Sequence, residues 1–213
     1  MQSKKFGNQK IDYVNSFLEG IVDICKKISQ QDIDKVIAIL FEAWRQQNNI
    51  FVIGNGGSAG AAQHFVADLN NVTTKINGVH TIRALSFNDN IVRFSALVND
   101  QGWENVYVEQ LKNYFRPRDI VFAISVHGGT GKDMAKAWSQ NLVKALKYAQ
   151  DNRGKALALV GFDGGIMRKI CDSCIVIPYY TTPHVEGFYG VVHHLITERL
   201  TEKIKTATKV YKK

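Results

Sequence analysis

Cysteine and proline are both scarce in this chain, at three residues each, and neither is arranged to build a scaffold. The odd count of Cys25, Cys171 and Cys174 gives no disulfide framework. Cys171 and Cys174 have the CxxC spacing of redox and zinc motifs, but no second pair accompanies them. They also lead into the apolar run Ile175-Val176-Ile177 instead of opening a helix after a strand, so they read as packing cysteines. No apolar run approaches the ~18 residues of a membrane span. The start, Met1-Gln2-Ser3-Lys4-Lys5, leads into polar residues without the apolar stretch of a secretory signal. The expectation is a cytoplasmic protein with no membrane partner.

Acidic residues are the minority charge, with 19 against 27 Lys and Arg and a net charge of +8. Lys203, Lys205, Lys209, Lys212 and Lys213 crowd the C-terminus, so much of the excess reads as a basic tail at 206–213. No aromatic-interleaved basic stripe or nucleic-acid module is present, which argues against nucleic acid as a partner. A general attraction for anionic substrates is the reading that remains. The balance of 45% apolar and 22% charged residues is that of a globular enzyme.

Periodicity sets the order of elements. Ile11, Val14, Phe17, Leu18, Ile21 and Ile24 follow a helical period, and Ile33, Val36, Ile37, Leu40, Phe41 and Trp44 share one face of a second helix. Strands are expected at 50–53, 81–85, 119–124, 156–160 and 175–177. Helices are expected at 59–69, 90–97, 103–114, 132–149 and from Pro183 to about Lys205. Alternating strands and helices imply a mostly parallel sheet covered on both faces. Pro117, Pro178 and Pro183 fall at element boundaries, and no linker or repeat divides the chain, so one domain is expected.

Gly54-Asn55-Gly56-Gly57-Ser58 lies where such folds bind ligands, between the carboxyl end of a strand and a helix. Glycines let the backbone approach an anion closely, the helix start offers N–H groups, and Ser58 adds a hydroxyl. Gly54, Gly56 and Ala59 also fit GxGxxA, but a dinucleotide site wants an acidic residue about 20 positions on. Asp68 comes too early and Asp89 late, so no nucleotide cofactor is expected. A Walker loop at Gly131-Lys132 fails because Val126 stands for its first glycine and Asp133 for its Ser or Thr.

The run from Phe51 to Leu69, FVIGNGGSAGAAQHFVADL, resembles the active-site segment of the phosphoheptose isomerases, members of the SIS (sugar isomerase) class. The likeness extends through Asn99-Asp100, the loop ending at Thr130, Leu159–Gly165 and the last helix. It implies a three-layer α/β/α fold with two leading helices. A helical pair would occupy 1–48, a sugar-phosphate core 49–205, and the basic tail the rest. It also implies a homotetramer with active sites shared between subunits. The reaction implied is isomerisation of sedoheptulose 7-phosphate to D-glycero-D-manno-heptose 7-phosphate through an enediol.

By the same resemblance Asn55, Gly56, Gly57, Ser58, Asn99 and Asp100 hold substrate. The family's Ser-Thr-Ser-Gly-Asn-Ser phosphate loop becomes Ser125-Val126-His127-Gly128-Gly129-Thr130. Two hydroxyls are lost at Val126 and His127, Thr130 is expected at the following helix start, and a protonated His127 or Lys132 would offset the loss. The acid–base pair falls on Asp68, where the family has glutamate, and on His194, with His193 the alternative if the register slips by one. Glu186 takes the place of a family glutamine. Some members bind zinc through the four positions occupied here by His64, Asp68, Glu186 and His194, which leaves one zinc per subunit open. His64 and Asp68 are spaced i,i+4 and Glu186 and His194 are eight apart, so each pair shares a helix face. Two rivals remain: a SIS-fold sensor that binds a sugar phosphate without turning it over, and an interaction protein like the relative that binds the DnaA initiator. The presence of both Asp68 and His194 favours the enzyme.

Overall fold

The computed structural model describes residues 12–210, apart from 75, 131, 134 and 135, and not the side chains of 132, 133, 136, 137, 209 and 210. Ile11, Gly131, Lys212 and Lys213, and the side chains of Lys132 and Lys209, therefore lie outside the described residues. The strands are β1 (Asn49–Gly54), β2 (Arg83–Ser86), β3 (Ile120–Ser125), β4 (Lys132–Asp133), β5 (Lys136–Ala137), β6 (Lys155–Gly161) and β7 (Ser173–Ile177). The helices are α1 (Tyr13–Lys27), α2 (Gln30–Gln46), α3 (Gly57–Asn71), α4 (Ile91–Gln101), α5 (Val106–Tyr114), α6 (Gln140–Asp151), α7 (Gly165–Ile170) and α8 (Thr182–Val210). Five strands form one parallel sheet in the order β2-β1-β3-β6-β7.

Strands buried on both faces need apolar residues on both, and alternate positions serve the two layers. Val52, Phe122, Leu157 and Ile175 face the layer of α2, α3 and α8. Phe51, Val121, Ala156 and Cys174 face the layer of α5, α6 and α7. This is the three-layer α/β/α arrangement expected. His184 ties α1 to α8: its Nε2 lies 3.1 Å from the Phe17 carbonyl oxygen, and its ring stacks on Phe17 at 4.0 Å. Among the described residues, no helix is long and apolar enough to cross a membrane.

Three expectations are corrected. The helix placed at 132–149 begins only at Gln140, because Gly128 and Gly129 take positive φ and the chain then makes the short antiparallel β4–β5 pair. The single helix at 103–114 is a 3₁₀ turn, Trp103–Asn105, followed by α5. Helix α7 went unread because six residues are too few to display a helical period. Helix α8 runs to Val210, through the first residues of the stretch taken as a tail.

Asp119 anchors the entry to the sheet. It is 2% exposed and accepts hydrogen bonds from the Asn49 N–H at 2.8 Å, Asn49 Nδ2 at 2.9 Å and the Arg116 N–H at 2.9 Å. Asp119→Ala would strand three donors, at a cost of about 2–4 kcal/mol. Urea unfolding should show a lower midpoint with an unchanged slope.

Candidate active site

β1 and β3 lie side by side, and the chain leaves them in opposite directions across the sheet, β1 toward β2 and β3 toward β6. The crevice at such a switch point is the usual ligand site of open parallel sheets. The register sets Gly54 beside Ile124, so the loops starting at Asn55 and Ser125 emerge together. Gly54 is held tightly: a Cβ there would lie 2.3 Å from the Ser58 carbonyl oxygen. Gly56, at φ +56°, makes the turn into α3. The Tyr107 hydroxyl and Asn88 Nδ2 both donate to the Gly54 carbonyl. Burial pushes the Tyr107 hydroxyl pKa up to about 12, so it stays a donor.

Asn55 and Asn141 exchange two hydrogen bonds of 2.9 Å between their carboxamides, which clamps the glycine loop to the first turn of α6. Ser58 is buried, with its Oγ 3.5 Å from the Tyr189 hydroxyl. A cavity of about 160 Å³ lies between the two loops, lined by Asn55, Ser58, Ile124, Ser125, Val126, His127, Trp138, Ser139 and Glu186. Glu186 is exposed and sits over Gly57, where a Cβ would fall 2.5 Å from its Oε1.

The phosphate loop departs from the expectation in two ways. Thr130 is not at a helix start: its Oγ1 donates to the His127 carbonyl at 2.9 Å, and it does not line the cavity. Ser139 holds the helix-start position instead, as the N-cap of α6 in a left-handed conformation. Its Oγ makes no capping bond and lies 3.5 Å from Ser125 Oγ. The second correction concerns charge. Burial against Trp138 and Phe162 lowers the His127 pKa, which works against the protonated ring that would offset the lost hydroxyls. Asn99 and Asp100 sit exposed near the end of α4, bonded to one another at 2.8 Å and away from this cavity.

The second group lies further along α3 and α8. His64 Nε2 and His194 Nδ1 each lie 3.5 Å from Asp68 Oδ2, an oxygen that is buried and otherwise without a hydrogen-bond partner. One ligand atom from each of the three residues falls within 4.8 Å of the others. Glu186, ~12 Å along the helix axis from His194, is not in this group, because its carboxylate lies over Gly57. Next to His194, His193 is 1% exposed, stacked on Phe65 at 4.6 Å. Burial first, then His64 and His194, push the His193 pKa down to about 3. Of the two adjacent histidines, His194 thus meets Asp68 while His193 packs in the core. A groove of about 480 Å³ opens beside Asp68 and His194, bounded also by Thr197, Glu198 and Lys205. A separate cavity of about 570 Å³ near Phe41, Trp44 and His80 touches neither group.

Sequence reading missed Ser139, Asn141, Tyr107 and Tyr189. Ser139 ahead of the periodic run Leu142–Ala149 was a legible N-cap signal. The two tyrosines gave no local sign, because their hydroxyls act across the fold.

A switch-point crevice with a hydroxyl-lined cavity and a nearby carboxylate–histidine group is the arrangement of a ligand-binding protein of the open α/β class. The SIS domain model matches residues 12–160, and the chain belongs to the SIS-domain family. It is closely related to the phosphoheptose isomerases: the Helicobacter pylori (strain 26695) phosphoheptose isomerase is 31% identical over 170 residues, covering 79% of this chain and 82% of that protein. The lincomycin biosynthesis protein LmbN of Streptomyces lincolnensis is 37% identical over 162 residues, or 74% of this chain, which spans only 58% of LmbN. Phosphoheptose isomerase GmhA from Neisseria gonorrhoeae superposes with a TM-score of 0.76 at 21% identity, covering 89% of this chain and 95% of that one. Membership in this phosphosugar-isomerase superfamily supports an isomerase role in general.

The two loop glycines should respond differently to a methyl group. Gly54→Ala meets fixed backbone and should lower the melting temperature and abolish phosphate binding. Gly57→Ala meets only the movable end of Glu186 and should leave stability within about 1 kcal/mol. Thermal unfolding and calorimetric titration with a sugar phosphate would check both.

Proposed function

We propose that the chain is an aldose–ketose isomerase that converts sedoheptulose 7-phosphate to D-glycero-D-manno-heptose 7-phosphate. The observation that carries this is Asp68 Oδ2 lying 3.5 Å from both His64 and His194. That group stands ~12 Å along α8 from Glu186, which borders the hydroxyl-lined cavity. The spacing suits a long sugar with its phosphate among Ser58, Ser125 and Ser139 and its C1–C2 end at Asp68. Asn55, Gly56 and Gly57 shape the near wall.

In this reading the Asp68 carboxylate takes a proton from C1 of the ketose, and the electron pair forms the enediol. The proton returns at C2, while His194 moves a proton between the two oxygens. Carbonyl and hydroxyl exchange places with no net change in composition. His64, beside His194 on the same Asp68 oxygen, helps hold the carboxylate in line.

His64, Asp68 and His194 also fit zinc, which in catalytic sites takes three protein ligands and leaves one position open. Asp68 Oδ2, buried without another partner, is a ready donor. A bound zinc would supply Lewis-acid polarisation of the carbonyl oxygen. Asn99 and Asp100 reach the site only as residues of a neighbouring subunit in a homotetramer. The exposed apolar face of α1, with Tyr13, Val14, Leu18 and Val22, supports such an assembly.

One observation favours the sensor reading: Val126, and a His127 on which burial disfavours charge, give the cavity fewer donors than the family's loop. Turnover separates the two. Asp68→Asn and His194→Ala should each lower turnover by ~10²–10⁴-fold, and the double variant by much less than the product. A native protein that binds sugar phosphates but isomerises none would be the sensor. Metal content is the companion measurement. Elemental analysis of protein purified without a polyhistidine tag should find about one zinc per subunit, lost in His64→Ala. Metal-free protein that stays fully active in chelator would remove zinc from the proposal.

A further inference from the structure

The cavity beside the glycine loop has an aromatic wall that binding a phosphate does not require. The His127 ring lies 3.9 Å from the Trp138 ring and 4.6 Å from Phe162, centroid to centroid. Trp138 is fixed by its backbone: Gln140 Nε2 donates to the Trp138 carbonyl at 3.2 Å and to the Gly129 carbonyl at 3.3 Å. Ser139, next along the chain, turns in the left-handed region at φ +54°. The segment that carries the indole is thus pinned at both of its ends to the first residue of α6.

The cavity that the His127 and Trp138 rings border is about 160 Å³. Whole-ligand sites usually run from ~300 Å³ upward, so this one holds a single end of a sugar phosphate. A phosphate and the carbon bearing it fill the space, and the following carbons must leave as a slim chain. An acyclic polyol does so. A pyranose places a ring carbon one bond from the phosphate-bearing carbon, and its bulk would press on the indole.

We propose that Trp138, braced by His127, is a specificity-determining residue that admits open-chain polyol phosphates and rejects the same phosphate carried on a pyranose ring. The proposal rests on the sugar-phosphate reading above and assigns its cavity a chemical preference. It suits the chemistry, since proton transfer between C1 and C2 needs the free carbonyl of the open form.

The test is calorimetric titration of the full chain with D-glucitol 6-phosphate, which is acyclic, and 1,5-anhydro-D-glucitol 6-phosphate, which is locked as a ring. Neither can isomerise, so binding is read apart from turnover. The native protein should prefer the acyclic ligand by roughly tenfold or more, the scale of overpacking a closed site. Trp138→Ala should bring the preference to within about threefold, chiefly by tighter binding of the ring. Trp138→Phe should fall between, and it decides the matter should the alanine variant not fold. A ratio unchanged by either substitution, with both ligands still binding, overturns the role of Trp138 and leaves the isomerase reading standing. A native protein that binds neither ligand overturns the sugar-phosphate reading and this proposal together.

Discussion

The parallel pairing of β1 with β3 is the constraint on which the site depends. It sets Gly54 opposite Ile124 and starts two ligand loops side by side, at the point where the chain turns away in both directions. Every later contact refines that placement. The Asn55–Asn141 amide pair locks the first loop to α6, and α6 in turn fixes Ser139 beside Ser125. Tyr107 and Asn88 take up the Gly54 carbonyl, which leaves that sharp turn no unsatisfied acceptor. The rigidity is bought with buried polar groups that pair with each other, so the loop needs no ligand to hold its shape.

Packing of α3 on α8 provides the second half. Phe65 stacks on His193 at the centre of the contact, and Ser58 meets Tyr189 at one end of it. Asp68 then reaches both His64, one turn back on its own helix, and His194 on α8. An imidazole buried with both nitrogens unpaired is an unusual core residue, and it is costly to charge. The pKa of about 3 at His193 reflects that cost. Keeping this ring neutral and in the core leaves His64 and His194 as the two imidazoles that meet Asp68.

Much of this was legible in the sequence, for physical reasons that can be named. Apolar runs such as Ile50–Ile53 and Ile120–Ile124 could only be doubly buried strands, and the glycine loop followed one of them. The i,i+4 spacing of His64 and Asp68 fixed that pair before any coordinates. What could not be read was the choice between His193 and His194, because adjacent helix residues point ~100° apart and only the packing partner decides which faces Phe65. The start of α6 was hidden for another reason. Ala135, Ala137 and Trp138 extend the apolar pattern of the true helix backward, while Gly128 and Gly129 divert the backbone. Thr130 was therefore expected at the helix start that Ser139 holds.

That displacement changes how an anion would be held. The described lining of the cavity contains no lysine or arginine, burial disfavours charge on its one histidine, and its one acidic side chain is Glu186. Hydroxyls of Ser58, Ser125 and Ser139 and the N-terminal ends of α3 and α6 are what remain to meet a phosphate. Those groups are fixed dipoles, and they favour an anion only where it sits against them. Glu186, lying over Gly57, repels the same anion from the open side. In the proposed function the two effects together would confine phosphate to the space between the loops, with the sugar chain passing Glu186, whose carboxylate can accept hydrogen bonds from hydroxyls. A glutamine there would be indifferent to charge. Glutamate instead would give the cavity a direction, phosphate inward and polyol outward, and so would orient the proposed substrate before it reaches Asp68.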